Sequence, residues 1–401
     1  MCSFRRYGIF QLSALLMILC SFTKVKGQMR SFEFYGHTFN IDVDPNIILK
    51  NKVEFNTEHI SSAYHTLELS NYQPIIDTLL AFQKKKQLND WLFYQLIRKT
   101  AETICAKKNN YEQYTLYKWF LLGKSGYDAR LILADNRIIM YVYNNEKIFD
   151  IPYLTLGGKK YMCLNYHDYI HTNFTSIPDT EMFGIAEATK PFSYQITKMP
   201  DFNPSNYGKK QVSFKYGAQD YHFDIKVSPE VESIFKNYPG VDFSYYFNIP
   251  LTKETYGSLI PTLKKNIDGM SVKNGVNYLM KFTRYAFLYE NDHENFGKEK
   301  RLSPEQTLLN PYSDCDDRAA LFFYLVKEIY DLPMIVLLYP THVTMAVQFD
   351  KPFGKTINYN NRAYSVCEPT PQLNDLPIGK LPPKLRKEAY EVVYAYEPSA
   401  K

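Results

Sequence analysis

Ser313-Asp314-Cys315-Asp316-Asp317-Arg318-Ala319-Ala320-Leu321-Phe322-Phe323-Tyr324-Leu325-Val326-Lys327-Glu328-Ile329 decides how the rest of the chain is read. Its apolar positions recur at helical spacing. Pro311 and Ser313 supply a start signal, with Ser313 or Asp314 as N-cap. Cys315 therefore falls in the first helical turn, where unpaired backbone N–H groups and the positive end of the helix dipole favour a thiolate. Asp316 and Asp317 suit the same dipole, yet at close range they oppose an anionic sulfur, so a nearby imidazolium is needed. Three flanking acids predict a solvated helix start for Cys315 rather than the core position usual for cysteine.

Beyond this helix, Asp331-Leu332-Pro333 is a stop. Met334 to Tyr339 reads as a buried strand, Tyr339-Pro340-Thr341 as a corner, and His342 opens a strand running to Phe349. After the turn-prone Asn358 to Asn361, a third strand runs from Ala363 to Glu368 and ends at Pro369. A thiol, an imidazole and a carboxylate thus stand on a helix start and two strands. In that order Cys315 would attack a carbonyl, His342 would hold the thiolate and protonate the leaving group, and Glu368 would fix the imidazole tautomer. The backbone N–H of Cys315 is the obvious oxyanion donor, with Gln306 and Tyr312 as candidates for a second. Cys367 alternates with Glu368 along its strand, so its side chain is expected in packing, away from the site.

The chain also repeats itself. At an offset of 184, Phe39, Ile41, Val43 and Pro45 fall on Phe223, Ile225, Val227 and Pro229, and Leu67, Tyr72 and Ile76 fall on Leu251, Tyr256 and Ile260. The run from Asp90 to Arg98 resembles the run from Val276 to Arg284 once two residues are inserted. At an offset of 205, Leu116, Trp119, Met140 and Val142 meet Leu321, Tyr324, Met345 and Val347. The ordered series of strand, helix, helix, strand and strand predicts two tandem α+β modules, each passing through two helices into antiparallel strands. Carried back, Cys315 lands on Asn110, His342 on Arg137 and Glu368 on Asn165, none of which can do its counterpart's chemistry.

Residues 300–370 resemble the core of the transglutaminase-like superfamily, in a secreted bacterial-type form. The motifs are Ser-Asp-Cys-Asp-Asp at 313–317, Tyr-Pro-Thr-His at 339–342 and Val-Cys-Glu-Pro-Thr at 366–370, preceded by Leu302 to Leu308. The resemblance implies a papain-like cysteine proteinase type of fold, with the cysteine at a helix start packed on an antiparallel sheet. It implies acyl chemistry through a thioester, ending in hydrolysis or in transfer to an amine; proteolysis, deamidation and cross-linking all occur in such proteins. Glu368 departs from the aspartate usual in the family, but its longer side chain still reaches a ring N–H.

The expected organisation is a signal peptide over 1–27, a degenerate non-catalytic module over 28–190, a linker over 191–210, and a catalytic module over 211–401 with its core at 276–371. Arg5 and Arg6, the apolar run from Ile9 to Phe22 and Val25-Lys26-Gly27 make the export signal. The run is too short for a comfortable spanning helix, so an exported chain, periplasmic or extracellular, is expected ahead of an N-terminal membrane anchor. Cleavage removes Arg5, Arg6, Lys24 and Lys26 and no acid, lowering the formal charge from +5 to +1. No basic patch or nucleic-acid motif remains, so no nucleic acid is expected as a partner.

Four cysteines survive cleavage, too few for a disulfide scaffold, and pairing of Cys105 with Cys163 stays open. Asp314, Asp316 and Asp317 lack the glycine and bidentate acid of a calcium loop. His167-Asp168 and His171 read as a solvated loop, so no metal and no cofactor is expected. Asn173-Phe174-Thr175 forms a glycosylation sequon. Two functions remain. One is an exported cysteine hydrolase or acyltransferase acting on peptide or protein amides, cell-envelope material included. The other is a non-catalytic envelope-associated binding protein that keeps the fold.

Overall fold

A computed structural model describes residues 27–50, 56–134, 137–170, 182–290 and 300–398. The expected signal segment, apart from Gly27, lies outside the described residues, as do the sequon and His171. The architecture is mixed helix and strand with several sheets, compatible with the α+β class.

Each half opens on a hairpin. Gln28–Phe34 pairs with His37–Val43, and Gly208–Tyr216 with Gln219–Val227. The first turns through Tyr35 and Gly36, both at positive φ, which matches the twist of the flanking strands. Phe39, Ile41 and Val43 alternate inward, as do Ile225 and Val227 on the second hairpin. Helix Gln73–Lys86 covers the first hairpin and helix Lys253–Asn266 the second. Next come two helices that pack together in each half, Asp90–Ile104 with Tyr111–Lys124 and Val272–Tyr285 with Cys315–Tyr330.

A five-stranded antiparallel sheet closes each half. The first has the order 153–156, 159–163, 137–143, 129–134, 183–184; the second has 356–359, 362–367, 342–347, 334–339, 391–396. Numbered along the chain, both orders are third, fourth, second, first, fifth, the topology expected of a duplicated unit. His342 opens the second strand of its sheet, as Arg137 does in the other.

Three expectations need correction. Helix Thr57–Leu69 and helix Gln73–Lys86 precede the packed pair, so among the described residues the first half has four α-helices rather than two. The second half, with Val231–Phe235, Phe243–Tyr246, Lys253–Asn266 and Pro304–Leu309 beside its pair, has six among the described residues. Thr57–Leu69 carries charged and polar residues around much of its surface and buries only Ile60 and Leu67, so its apolar periodicity is weak. The turn-rich 191–210 linker is packed rather than exposed. Phe192, Tyr194, Ile196, Met199 and Phe202 are buried, and residues 208–210 already belong to the second hairpin. The halves also share one apolar core. Trp91 donates its indole N–H to the Ile234 carbonyl at 2.8 Å, and Ile148–Phe149 pairs with Gly240–Val241. Finally, His167 and Asp168 form no solvated loop. Asp168 accepts from Lys107 at 2.7 Å and Tyr111 at 2.8 Å, beneath the first sheet's edge.

Beside that cluster Lys118 is buried against the rings of Tyr114 and Tyr111, 4.6 and 5.6 Å from its nitrogen. Burial pulls its ammonium down to about 7. Between that value and the ordinary lysine range the unfolded chain holds a proton that the folded chain lacks, so stability rises with pH across this window. Lys118→Met is expected to stabilise the protein at pH 7 by about 1–3 kcal/mol. In urea titrations at pH 7 and 9.5 that advantage shrinks at the higher pH; an advantage that grows with pH would contradict this account.

Candidate functional site

Asp314 caps helix Cys315–Tyr330, accepting from the Asp317 N–H, while Asp317 reaches back to the Asp314 N–H at 3.3 Å. This reciprocal box satisfies two of the donors a helix start leaves unpaired. Asp317 also accepts from the Leu302 N–H at 2.7 Å, which ties the approach segment to the helix. Asp316 faces Arg301 at 3.5 Å. All three acids are buried, so the helix start is not the solvated position their charges suggested. Each is held by a backbone donor or a guanidinium, and that pairing is what permits their burial.

Cys315 is therefore the first residue of a pinned helix. The residue is partly exposed, and the backbone N–H of Val343, the residue after His342, is near enough to favour an anionic sulfur. Tyr339 and His342 are directly paired across a two-residue turn, Pro340-Thr341, which fixes where the imidazole emerges. His342 Nε2 lies 2.8 Å from Glu368 Oε2. The other Glu368 oxygen accepts from the Thr370 N–H at 2.8 Å. Glu368 is fully covered while His342 keeps a narrow exposed edge, so the acid sits behind the imidazole. The structure pairs His342 with Glu368 and sets Glu368 within electrostatic reach of the Cys315 thiol, and Cys367 points into the core as its alternation predicts.

The charge state of the thiol departs from expectation. Burial, then the neighbouring carboxylates of Asp316 and Asp314, push it far above the ordinary thiol range, against the lowering effect of the Val343 N–H. These influences favour a neutral thiol over a stored anion. The proposed second oxyanion donor also changes. Gln306 is committed to its own helix start and to Glu232, its oxygen accepting from Ser303 and its amide donating at 3.0 Å. Tyr312 lies in a short strand paired with Leu288–Tyr289, which instead brings the half-exposed Tyr289 ring beside Cys315.

Sequence reasoning missed Arg318. It is fully buried and donates to the carbonyls of Thr283, Arg284, Phe287 and Leu288 at 2.7–3.1 Å. A charged residue at the head of an unbroken apolar helical run was the available signal. Asp314, Cys315 and Asp316 offer ligand atoms within 4.8 Å of one another, but the cap and Arg301 already engage both acids. Cys105, Cys163, Cys315 and Cys367 are all free thiols. No helix among the described residues is long and apolar enough to cross a membrane.

No protein-family model matches the chain. Among curated proteins it is similar to the large subunit of 3-isopropylmalate dehydratase from Staphylococcus haemolyticus, 28% identical over 231 residues. The match covers 56% of this chain and 47% of that subunit, so the chain spans about half the length of the relative it matches. A likeness of that extent does not establish membership of a family.

The thiol's environment makes a kinetic prediction. Iodoacetamide modifies Cys315 more slowly at pH 7.5 than it modifies free cysteine, because less thiolate is present. Asp316→Asn removes one opposing charge and speeds the reaction on the order of tenfold, about one pK unit. Peptide-resolved mass spectrometry reads both rates. Wild-type modification faster than free cysteine would overturn the neutral-thiol assignment.

Proposed function

We propose that the protein is a cysteine hydrolase or acyltransferase acting on peptide or protein amides, built from two tandem transglutaminase-like modules of which the second is catalytic. The observation that carries this reading is the 2.8 Å contact between His342 Nε2 and Glu368 Oε2, near a helix-start cysteine that the amide next to that histidine and Glu368 itself both influence. The carboxylate accepts a hydrogen bond from Nε2–H, which leaves Nδ1 as the free base. Nδ1 removes the Cys315 proton as sulfur attacks the carbonyl, and the resulting imidazolium protonates the leaving amine. Water or a second amine then attacks the thioester. The Cys315 N–H, unpaired at the head of its helix, is the donor aimed at the oxyanion. Leu288 and Tyr289, both well exposed beside the nucleophile, offer an apolar rim for the acyl side chain.

The export signal read over 1–27 places this activity outside the cytoplasm, on peptide or cell-envelope material. The second reading, a binding protein that keeps the fold without turnover, is favoured by the neutral thiol, whose neighbouring carboxylates oppose its ionisation. Acyl-type thiol-reactive probes separate the two. Wild type becomes labelled at Cys315, and Cys315→Ala loses the label. Glu368→Gln lowers turnover by roughly 10²–10⁴-fold with a small change in KM, since it destroys the tautomer while keeping the shape. Labelling that survives in Cys315→Ala, or full activity in Glu368→Gln, rejects the enzyme reading.

A further inference from the structure

The repeat supplies an internal comparison. Arg98 on helix Asp90–Ile104 aligns with Arg284 on helix Val272–Tyr285, and Gln95 aligns with Lys281. In the second half Arg284 and Lys281 close on one carboxylate. Arg284 Nη1 donates to Asp375 Oδ1 at 2.5 Å, and Lys281 pairs with Asp375 Oδ2. In the first half no carboxylate of the described residues lies within ion-pair distance of Arg98, which donates to Gln95 Oε1 at 2.9 Å and bonds the Tyr114 side chain. Gln95 is only 8% exposed, and having given its oxygen to Arg98 it leaves its amide NH₂ without a partner.

Both residues line a cavity of about 580 Å³ between the first hairpin, this helix and the start of the second half. An orphaned amide donor and an arginine without an acid, on the wall of a cavity this large, are unusual for a merely structural cluster. The acids at its edge do not supply the missing anion: Glu33 accepts from Thr38 at 2.6 Å, Glu102 faces Lys99 at 3.9 Å, and Glu230 accepts from Asn206.

We propose that this cavity binds the terminal carboxylate of a peptide, the Arg98 guanidinium and the Gln95 amide holding its two oxygens as Arg284 and Lys281 hold those of Asp375. Arginine suits the task because its fork matches a carboxylate. The lining carries both signs, Glu33, Glu102 and Glu230 beside Lys99, Lys107 and Lys236. Lys99 and Lys107 already face Glu102 and Asp168, so the wall suits a ligand with a positive group as well as a carboxylate, as a short peptide with a free amine has. The site is separate from Cys315, and its ligand does not depend on the chemistry proposed there.

Isothermal titration of the full chain with Lys-Ala-Ala, its C-terminal amide, glutarate and inorganic phosphate tests the site. The free acid binds, the amide binds at least tenfold more weakly, and Arg98→Gln loses at least tenfold in affinity for the acid. Ser233→Trp, which obstructs the cavity from an exposed rim position, weakens the same binding and decides the matter if Arg98→Gln fails to fold. Glutarate bound as tightly as the tripeptide assigns the carboxylate to a small free acid and overturns the peptide assignment. Equal binding of acid and amide, phosphate binding as tight as the acid's, affinity unchanged in a folded variant, or no binding at all overturns the site.

Discussion

Two buried guanidinium groups hold the functional region in register. Helix Val272–Tyr285 ends with carbonyls that have no intrahelical partner, and Arg318, three residues beyond Cys315, donates to those of Thr283 and Arg284 and to two more just after them. Arg284 in turn donates to the backbone carbonyl of Glu368 and to that of Leu376. A chain of bonds therefore runs from the cysteine helix through Arg318 and Arg284 to the segment that carries the acid. Burying a guanidinium costs several kcal/mol unless its donors are met, so only a narrow set of helix and strand placements is tolerated. The relative position of Cys315 and Glu368 follows from that intolerance more than from apolar packing, which is less directional.

The first half shows what the same topology does without those chemical groups. Asn165 occupies the place of Glu368 and is equally buried, yet it accepts from the Met140 N–H at 2.9 Å and donates to the Ile138 carbonyl at 2.9 Å and the Tyr111 hydroxyl at 3.0 Å. An amide can bridge a strand in this way because it both donates and accepts. A carboxylate only accepts, so Glu368 leaves the strand's own bonding alone and turns to a ring N–H and an amide N–H. Arg137, first in its strand as His342 is, lies over the Tyr169 ring and offers no base. At these two aligned positions the halves differ in hydrogen-bond capacity, an amide against a carboxylate and a guanidinium against an imidazole.

Much of this was legible in the residues. The capped helix start, the two-residue corner before His342 and the alternation of Cys367 with Glu368 are local properties, and the structure places all three as read. The aligned halves likewise share a strand order, because periodic apolar positions survive when polar ones change. What escaped depended on partners distant along the chain. Asp314, Asp316 and Asp317 looked solvated because charge is normally exposed; Arg301 and the Leu302 amide are what bury them. Gln306 looked available because its capping role and its contact with Glu232, 74 residues away, cannot be inferred from spacing. The burial of the 191–210 linker escaped because proline and glycine mark irregular backbone, which says nothing about whether that backbone is covered.

The neutral thiol changes how the cluster can work. A stored thiolate–imidazolium pair needs the site to favour the anion at rest, and here burial and three carboxylates, Asp316, Asp314 and Glu368, favour the proton instead. The Val343 amide is a weak counterweight, since one neutral donor does not offset three nearby charges. Glu368 also lies against the His342 ring, where it stabilises positive charge that forms there. These two facts are consistent if the proton leaves sulfur during the attack rather than before it, with His342 acting as a general base on a neutral nucleophile. Negative charge would then develop on the substrate oxygen, at the helix end whose dipole favours it, instead of resting on a sulfur flanked by acids. The carboxylates that disfavour the free thiolate would, on this route, protect Cys315 from indiscriminate alkylation and oxidation while leaving it competent toward a bound carbonyl.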